Sequence, residues 1–552
     1  MTNSINPGFL DECEREALHE IGAIQPFGAL LGGHNSDPTL RYVSANLTGW
    51  SWLNPDVVLD QPLAALSPWL SNQQIEHICA AIAGDTKSLV QPSGAKHLLA
   101  SLCSGPHGKL DGLLSLGSRN WLLELQPALP AEQQVSAYRP VPHSLYRRPR
   151  SDEEWTRLCD YLAEQMRVTS SFDRVMVYRF LEDGSGEVIA ESLAAGLPPY
   201  LGLRYPASDI PQIARLLYMA NRHRQIPDAA AKPVAILSHD ETTLDLTLSD
   251  LRAVSPVHVD YLHNMGATAS LSFPVMVRDH FWGLIACHNQ TPLALPFAVR
   301  ERCAEMVQAF ALGIASYQTS QRLQVLGRSD RDIRQLIDRI GALRSGMLPD
   351  NRLQEELLNL VGASGAALTE NDADGGGFEE VLTLGETPSL EQIRELMDWL
   401  RVTTMEPVFS TDALSALFPP ATRYATIASG MLAVRVGRFT EGARFERGFL
   451  WWRPEKLQRV QWAGDPRKSA MFASQSRTLS PRSSFDAWVE ISREQAEPWS
   501  DLHLLNAKKF RSLVLRDINA TCCVTEPAPN PRPKPKPKPT PSLRQQPSLR
   551  PP

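Results

Sequence analysis

Between Pro206 and His288, polar and ionisable residues crowd onto segments that are otherwise apolar. Pro206-Ala207-Ser208-Asp209-Ile210-Pro211 sets one carboxylate in a segment stiffened by proline at both ends, because each ring fixes its own φ and restricts the residue before it. The stretch that follows reads as a helix carrying Tyr218, Arg222 and Arg224. Arg252 and the run Ser255-Pro256-Val257-His258-Val259-Asp260-Tyr261 come next, then Ser270 and Ser272 on an expected strand and His288 at a strand end. Arginines with hydroxyls nearby suit a ligand that bears carboxylates, through bidentate pairing and hydrogen bonds. A carboxylate with two histidines suits a protonated, conjugated nitrogen system. Taken singly, each residue reads as a satisfied polar group of a core; together they predict one pocket.

Other chemistry finds less support. The chain has no Walker A, HExxH, GxSxG or GxGxxG string and no paired Asn box and glycine-rich lid of a histidine kinase, so no catalytic activity is expected. Gly375-Gly376-Gly377 has acidic flanks and no GK[ST] after it, which excludes a phosphate loop. Cys13, Cys79, Cys103, Cys159, Cys287, Cys303, Cys522 and Cys523 are scattered, with neither CxxC pairs nor zinc spacing, so no disulfide framework or metal site is expected.

The 552 residues are 43% hydrophobic and 21% charged, with a formal charge of -6. From Pro527 to Pro552 there are six bases, no acids and 11 prolines; the preceding 526 residues hold 49 bases against 61 acids. An acidic body of that kind is a poor surface for nucleic acid. The N-terminus lacks the basic and apolar regions of a signal peptide, and no apolar run nears the ~20 residues that span a bilayer. The expected home is a reducing cytoplasm, with no membrane partner.

Around the pocket residues, period-two and helical patterns predict an α+β chain of three mixed domains with central antiparallel sheets. Strands are expected over 26–31, 40–44 and 121–125, with a short helix over 73–82. Five prolines from 127 to 149 mark a linker. The second unit opens on a helix over 154–168, followed by paired strands over 173–180 and 186–191 and two more over 267–277 and 281–288. A long helix from Pro296 to about Leu343 carries the apolar stripe Val299, Cys303, Met306, Phe310, Ile314 and Tyr317, either packing on its own domain or forming a dimer seam. In a third unit, 442–489 is rich in Trp, Arg, Pro and Ser, an extension long for a hairpin. The Pro/Lys-rich end is expected to be extended and unpacked.

Several strings, in order and at matching spacing, resemble the photosensory core of bacterial phytochromes. They are Ile24-Gln25-Pro26-Phe27-Gly28 after an N-terminal cysteine, the PASDIP string, Ser255 to Gly266, Trp282 to His288, and Pro481-Arg482-Ser483-Ser484-Phe485 with Trp488-Val489-Glu490. The resemblance covers about residues 8–519. It implies an N-terminal segment and PAS domain over 1–126, the linker 127–149, a GAF domain over 150–318, a PHY domain over 319–520 with a tongue at about 442–490, and a disordered tail over 521–552.

It further implies a red/far-red photoreceptor whose chromophore is biliverdin IXα, joined by a thioether at Cys13. Val257 stands where relatives that use other bilins carry their attachment cysteine. By the resemblance, Asp209, with Ile210 and Pro211 beside it, faces the pyrrole nitrogens, His258 stacks beside the rings, and His288 hydrogen-bonds the ring D carbonyl. Arg224, Arg252, Ser270 and Ser272 match propionate partners, while Tyr178, Tyr205 and Tyr261 match aromatic positions around ring D; Tyr218 belongs to the same pocket. Arg482 matches the arginine that pairs with Asp209, a contact broken when the tongue refolds after Z-to-E isomerisation. A homodimer through the long helix and an unknown downstream signalling protein complete the expectation, since no output domain follows residue 520. Two alternatives stay open: a light-independent GAF-type sensor of a small ligand, and a truncated phytochrome that has lost its output.

Overall fold

Ala269-Ser270-Leu271-Ser272-Phe273 alternates small or hydroxylated residues with large apolar ones, the pattern of a strand with two unlike faces. In the computed structural model that strand turns Leu271, Phe273 and Val275 into a core, at 0% exposure each, and Ser270 and Ser272 to the opposite side. The structure describes residues 17–524 except 68, 85–95, 131–137, 182, 344–348, 372–377, 405, 437–446, 465–484 and 486. Cys13, Arg482 and residues 525–552 of the tail expected over 521–552 lie outside the described residues, while 521–524 end a helix that begins at Asp501.

The chain divides into two compact units, residues 1–326 with 456–493, and 327–455 with 494–552. In the first unit the order is β1 (Ala23–Ile24), β2 (Ala29–His34), β3 (Tyr42–Ser44), α1 (Asn72–Ile82), β4 (Lys96–Gly105), β5 (Gly108–Leu116) and β6 (Asn120–Pro127). Then follow α2 (Asp152–Ser170), β7 (Arg174–Phe180), β8 (Gly186–Leu193), β9 (Arg204–Tyr205), α3 (Gln212–Ala220), β10 (Arg224–Ile226) and β11 (Val234–Leu237). The last are α4 (Pro256–Asn264), β12 (Ala269–Val277), β13 (His280–Asn289) and α5 (Phe297–Leu343), which continues into the second unit. The second unit holds α6 (Asn351–Asn359), β14 (Gly365–Asn371), β15 (Phe378–Gly385), α7 (Leu390–Thr403), β16 (Val408–Thr411), β17 (Gly430–Val436), β18 (Arg447–Arg453) and α8 (Asp501–Val524). Between them β19 (Gln458–Ala463) and β20 (Ala487–Ser492) return to the first unit.

Among the described residues the strands form three sheets, ordered β1-β11-β3-β2-β6-β5-β4, β10-β12-β13-β7-β8-β9-β19-β20 and β15-β14-β18-β17-β16. All pairings are antiparallel apart from β9 with β19. The fold is therefore α+β with antiparallel sheets, as the periodicities predict. β12 and β13 turn through Arg278 and Asp279, both left-handed at φ 49° and 64°, the geometry a two-residue hairpin needs. Ser71 and Ser389 each open a helix with a reciprocal capping box, using Gln74 and Gln392. Ser389→Ala is expected to cost about 1 kcal/mol, read as a lower urea midpoint for the second unit.

Two expectations are corrected. Cys303, Met306, Phe310 and Ile314 are at most 2% exposed and pack with Leu158, Leu162 and Phe273 in the core of their own unit, so this stripe is no seam. Tyr317 of the same stripe stacks on Trp155 at 6.0 Å. Likewise part of the 442–489 stretch belongs to the third sheet. Arg447–Arg453 is a strand inside the third sheet, with Trp451 and Trp452 fully buried among its core residues, and only Lys456–Arg493 leaves that unit. A Trp-rich stretch is ambiguous by composition, because core and protruding segments both use tryptophan.

Candidate ligand-binding site

The eight-stranded sheet has one apolar face, spent on α2 and α5, and one mixed face that positions the site. Directly paired residues of neighbouring strands share a face. Arg224 pairs with Ser272, and Ser270 with both Ile226 and His288, so Arg224, Ser270, Ser272 and His288 lie on the same side. Farther along, Tyr178, Leu284 and Met176 join Tyr200, Leu203, Tyr205, Ala463 and Phe485 in an aromatic cluster that Ile210, Tyr218 and Tyr261 border. Gly186 is the close approach here, since a Cβ on it would meet the Tyr178 ring at 1.9 Å.

A cavity of about 170 Å³ opens over this face. Of the residues singled out from sequence, it brings together Asp209, Ile210, Pro211, Tyr218, Arg224, Arg252, His258 and Tyr261. Ser270, Ser272, His288, Tyr178 and Tyr205 are not in its lining; they lie on the sheet and in the aromatic cluster. α3 carries Tyr218 but ends at Ala220, so Arg222 and Arg224 are not helical as expected. Arg224 opens β10 instead, and Arg222 pairs with Glu301 at the surface.

The carboxylate of Asp209 accepts a hydrogen bond from the Tyr261 hydroxyl at 3.0 Å. Tyr261 stacks on His258 at 5.9 Å and meets Phe485 edge-on at 5.1 Å. Burial, then Arg224, pulls the His258 imidazole down to about 4. Burial, then Arg174 and His258, pulls His288 down to about 3. Both rings are therefore neutral at pH 7. At the other end Arg224 donates to the carbonyls of Arg252 at 2.6 Å, Ala253 at 3.2 Å and Asp250 at 3.3 Å. Burial, and Arg224 next, lowers Arg252 to about 9. Two guanidinium groups, Arg252 buried and Arg224 half-buried, that repel each other at a cavity wall fit an anion. Asn221 Oδ1 and His223 Nδ1, buried atoms without a hydrogen-bond partner, add unmet polar capacity to the same lining. The donor set thus fits a carboxylate-bearing ligand with an extended apolar body.

Sequence reasoning missed the ionic cluster behind this wall. Glu124 accepts from the Ser249 hydroxyl and from the Asp250 and Leu251 N–H groups at 3.1 and 3.0 Å. Asp250 is held by Lys96 and by Arg300 at 2.9 Å, and Arg300 also reaches Gln126 at 2.5 Å. Burial would raise Asp250, but the cations Lys96 and Arg300 hold the carboxyl well below its usual range. The signal was a carboxylate inside Trp121-Leu122-Leu123-Glu124-Leu125, where alternation puts Glu124 on the side opposite Trp121 and Leu123. Among the described residues no His/Cys/Asp/Glu group could hold a metal, and no helix is long and apolar enough to cross a membrane.

Three known families divide this chain: residues 13–104 match the model described as PAS fold, 154–316 the GAF domain and 341–521 the Phytochrome region. The chain belongs to the phytochrome family. It is 32% identical to cyanobacterial phytochrome B of Nostoc sp., over 92% of this chain and 66% of that protein, so it spans about two thirds of that relative's length. It is 32% identical to a bacteriophytochrome of Xanthomonas campestris pv. campestris, over 93% of this chain and 80% of the relative. The crystal structure of a bacteriophytochrome from R. palustris superposes with a TM-score of 0.77 at 32% identity, covering 92% of this chain and 99% of that one.

Proposed function

We propose that the chain is a red/far-red light sensor that holds biliverdin IXα in the cavity over β10 and β12, joined by a thioether to Cys13. The observation that carries this reading is the polarity of the site: the arginine pair Arg224 and Arg252 in its lining, and Asp209, His258 and Tyr261 beside an aromatic cluster. What a bilin supplies when bound is light-driven rotation about its C15=C16 double bond. Arg224 and Arg252 are assigned to its propionates with Ser270 and Ser272, Asp209 and His258 to its nitrogens, and His288 to the ring D carbonyl. Tyr178, Tyr205, Tyr218 and Tyr261 supply apolar walls, with Ile210 and Pro211 at the Asp209 end.

Thioether formation needs a thiolate. Burial raises the thiols of Cys79, Cys103, Cys159, Cys287 and Cys303, which leaves them poor nucleophiles. Leu18 lines the cavity, and five residues of chain reach at most about 18 Å, so Cys13 is within range of it. Lys456–Arg493 is assigned as the tongue, with Arg482 pairing Asp209 in one light state. A homodimer through α5 would use the face opposite the core, where Leu312 and Leu323 are 60% and 61% exposed and three turns apart. Its signal passes to a downstream protein partner.

The test is co-expression with haem oxygenase. A coloured band that survives denaturation, fluoresces with zinc and disappears in Cys13→Ala is expected, together with a reversible absorption change under red light. Colourless protein, or a spectrum indifferent to light, sinks the reading.

A further inference from the structure

His223 is 3% exposed, lines the cavity, and is not among the residues assigned above to the ligand. Its ring lies between two carboxylates. Nε2 is 3.4 Å from Glu301 Oε1 on α5, and Nδ1 is 3.9 Å from Asp250 Oδ1, too far for a hydrogen bond. The rings of Phe273 and Phe297 meet it edge-on at 6.2 and 5.8 Å, and neither offers a hydrogen bond to the unmet nitrogen. The charges acting on it are Asp250 on the loop before Arg252, Arg300 and Glu301 on α5 and Lys96 on β4, with Arg222 and Arg224 flanking it in the chain and Glu124 on β6 behind Asp250 and Lys96.

Two opposing fields meet at this ring. Burial disfavours its charged form, with Arg300 and Lys96 adding to that, whereas Asp250 and Glu301 favour it. Asp250 is already engaged by Lys96 and Arg300, and Glu301 by Arg222, so the carboxylates are partly spent. A further negative charge in the cavity tips the balance, because in a buried site an anion favours the protonated form of a nearby base.

Resting on the bilin reading above, we propose that His223 is a proton-binding residue of the pocket: it takes a proton onto Nδ1 when the ligand's carboxylates enter, and Nε2–H keeps donating toward Glu301. The proton comes from solvent and no bond to the ligand forms. Nδ1 thereby changes from an unmet acceptor to a donor facing the Asp250 side of the cavity. Binding of the free acid is then linked to pH, strengthening by up to about tenfold per unit of acidification for one linked proton.

The pigment's own nitrogens can also bind protons, so the experiment isolates the carboxylates. Proton uptake is measured by calorimetry in two buffers of different ionisation heat, for biliverdin and for biliverdin dimethyl ester, using Cys13→Ala so that binding is reversible. The wild-type pocket is expected to take up more protons with the acid than with the ester, by up to about one per chain near neutral pH. In His223→Gln that excess is expected to vanish while both pigments still bind. An equal excess in His223→Gln, or no excess in the wild-type pocket, overturns the inference and leaves the bilin reading intact. Failure of both pigments to bind any variant overturns both. Should His223→Gln fold poorly, the imidazole proton signals of the wild-type pocket, titrated with and without the acid, decide instead: an unchanged titration overturns the proposal.

Discussion

Arg300→Met is expected to lower the stability of the first unit by about 3–5 kcal/mol, although methionine keeps most of the side-chain volume. The reason is the charge left behind. Arg300 is 0% exposed, and its guanidinium holds Asp250 Oδ2 at 2.9 Å. With Arg300 gone, Asp250 keeps Lys96 but faces Glu124 in a dry site, where burial and then Asp250 itself already push the Glu124 carboxyl up. Removing one partner of a buried pair costs more than removing both, so adding Asp250→Asn should recover part of the loss. The pH dependence has a definite sign. Asp250 is depressed in the folded state, so its contribution is complete above the ordinary carboxylate range and fades as pH falls toward the folded value. Urea titrations of the two proteins should therefore converge on acidification below about pH 4. A gap that stays constant down to pH 3 would show that charge pairing is not what Arg300 contributes.

The second large effect concerns the ligand-free chain in mild acid. His258 and His288 sit at about 4 and 3 when folded and at about 6.5 when unfolded. Between those values the unfolded chain binds more protons, so stability rises with pH and is lost on acidification from 6.5 downward. From pH 6.5 to 5 each imidazole contributes at most about 2 kcal/mol, and the pair at most about 4 kcal/mol, water in the cavity reducing the figure. Replacing both, as His258→Gln with His288→Gln, should flatten the slope of the urea midpoint across that interval. An unchanged slope would assign acid lability to other groups.

Much of this architecture is legible in the residues because period-two and helical alternation are local signals. Ser270 and Ser272, alternating with Leu271 and Phe273, reveal both the strand and its two faces. Capping serines and the proline-bracketed Asp209 segment are equally local. What stays hidden depends on distant pairing. Nothing adjacent to His223 or Asp250 announces that α5 delivers Glu301 and Arg300 to them. The stripe on α5 shows which positions are apolar without showing which surface covers them, and the two tryptophans of β18 look alike whether they protrude or are buried.

Among the described residues, β19 and β20 pair with each other at six positions, yet meet the rest of the sheet in register at one, Trp462 beside Arg204. The hairpin is thus a cooperative block fastened by a narrow hinge. Side chains add to that register contact: the Phe485 ring packs against Tyr261 and Tyr205. An edge held this way answers to the shape of one aromatic pocket rather than to the strength of a ladder.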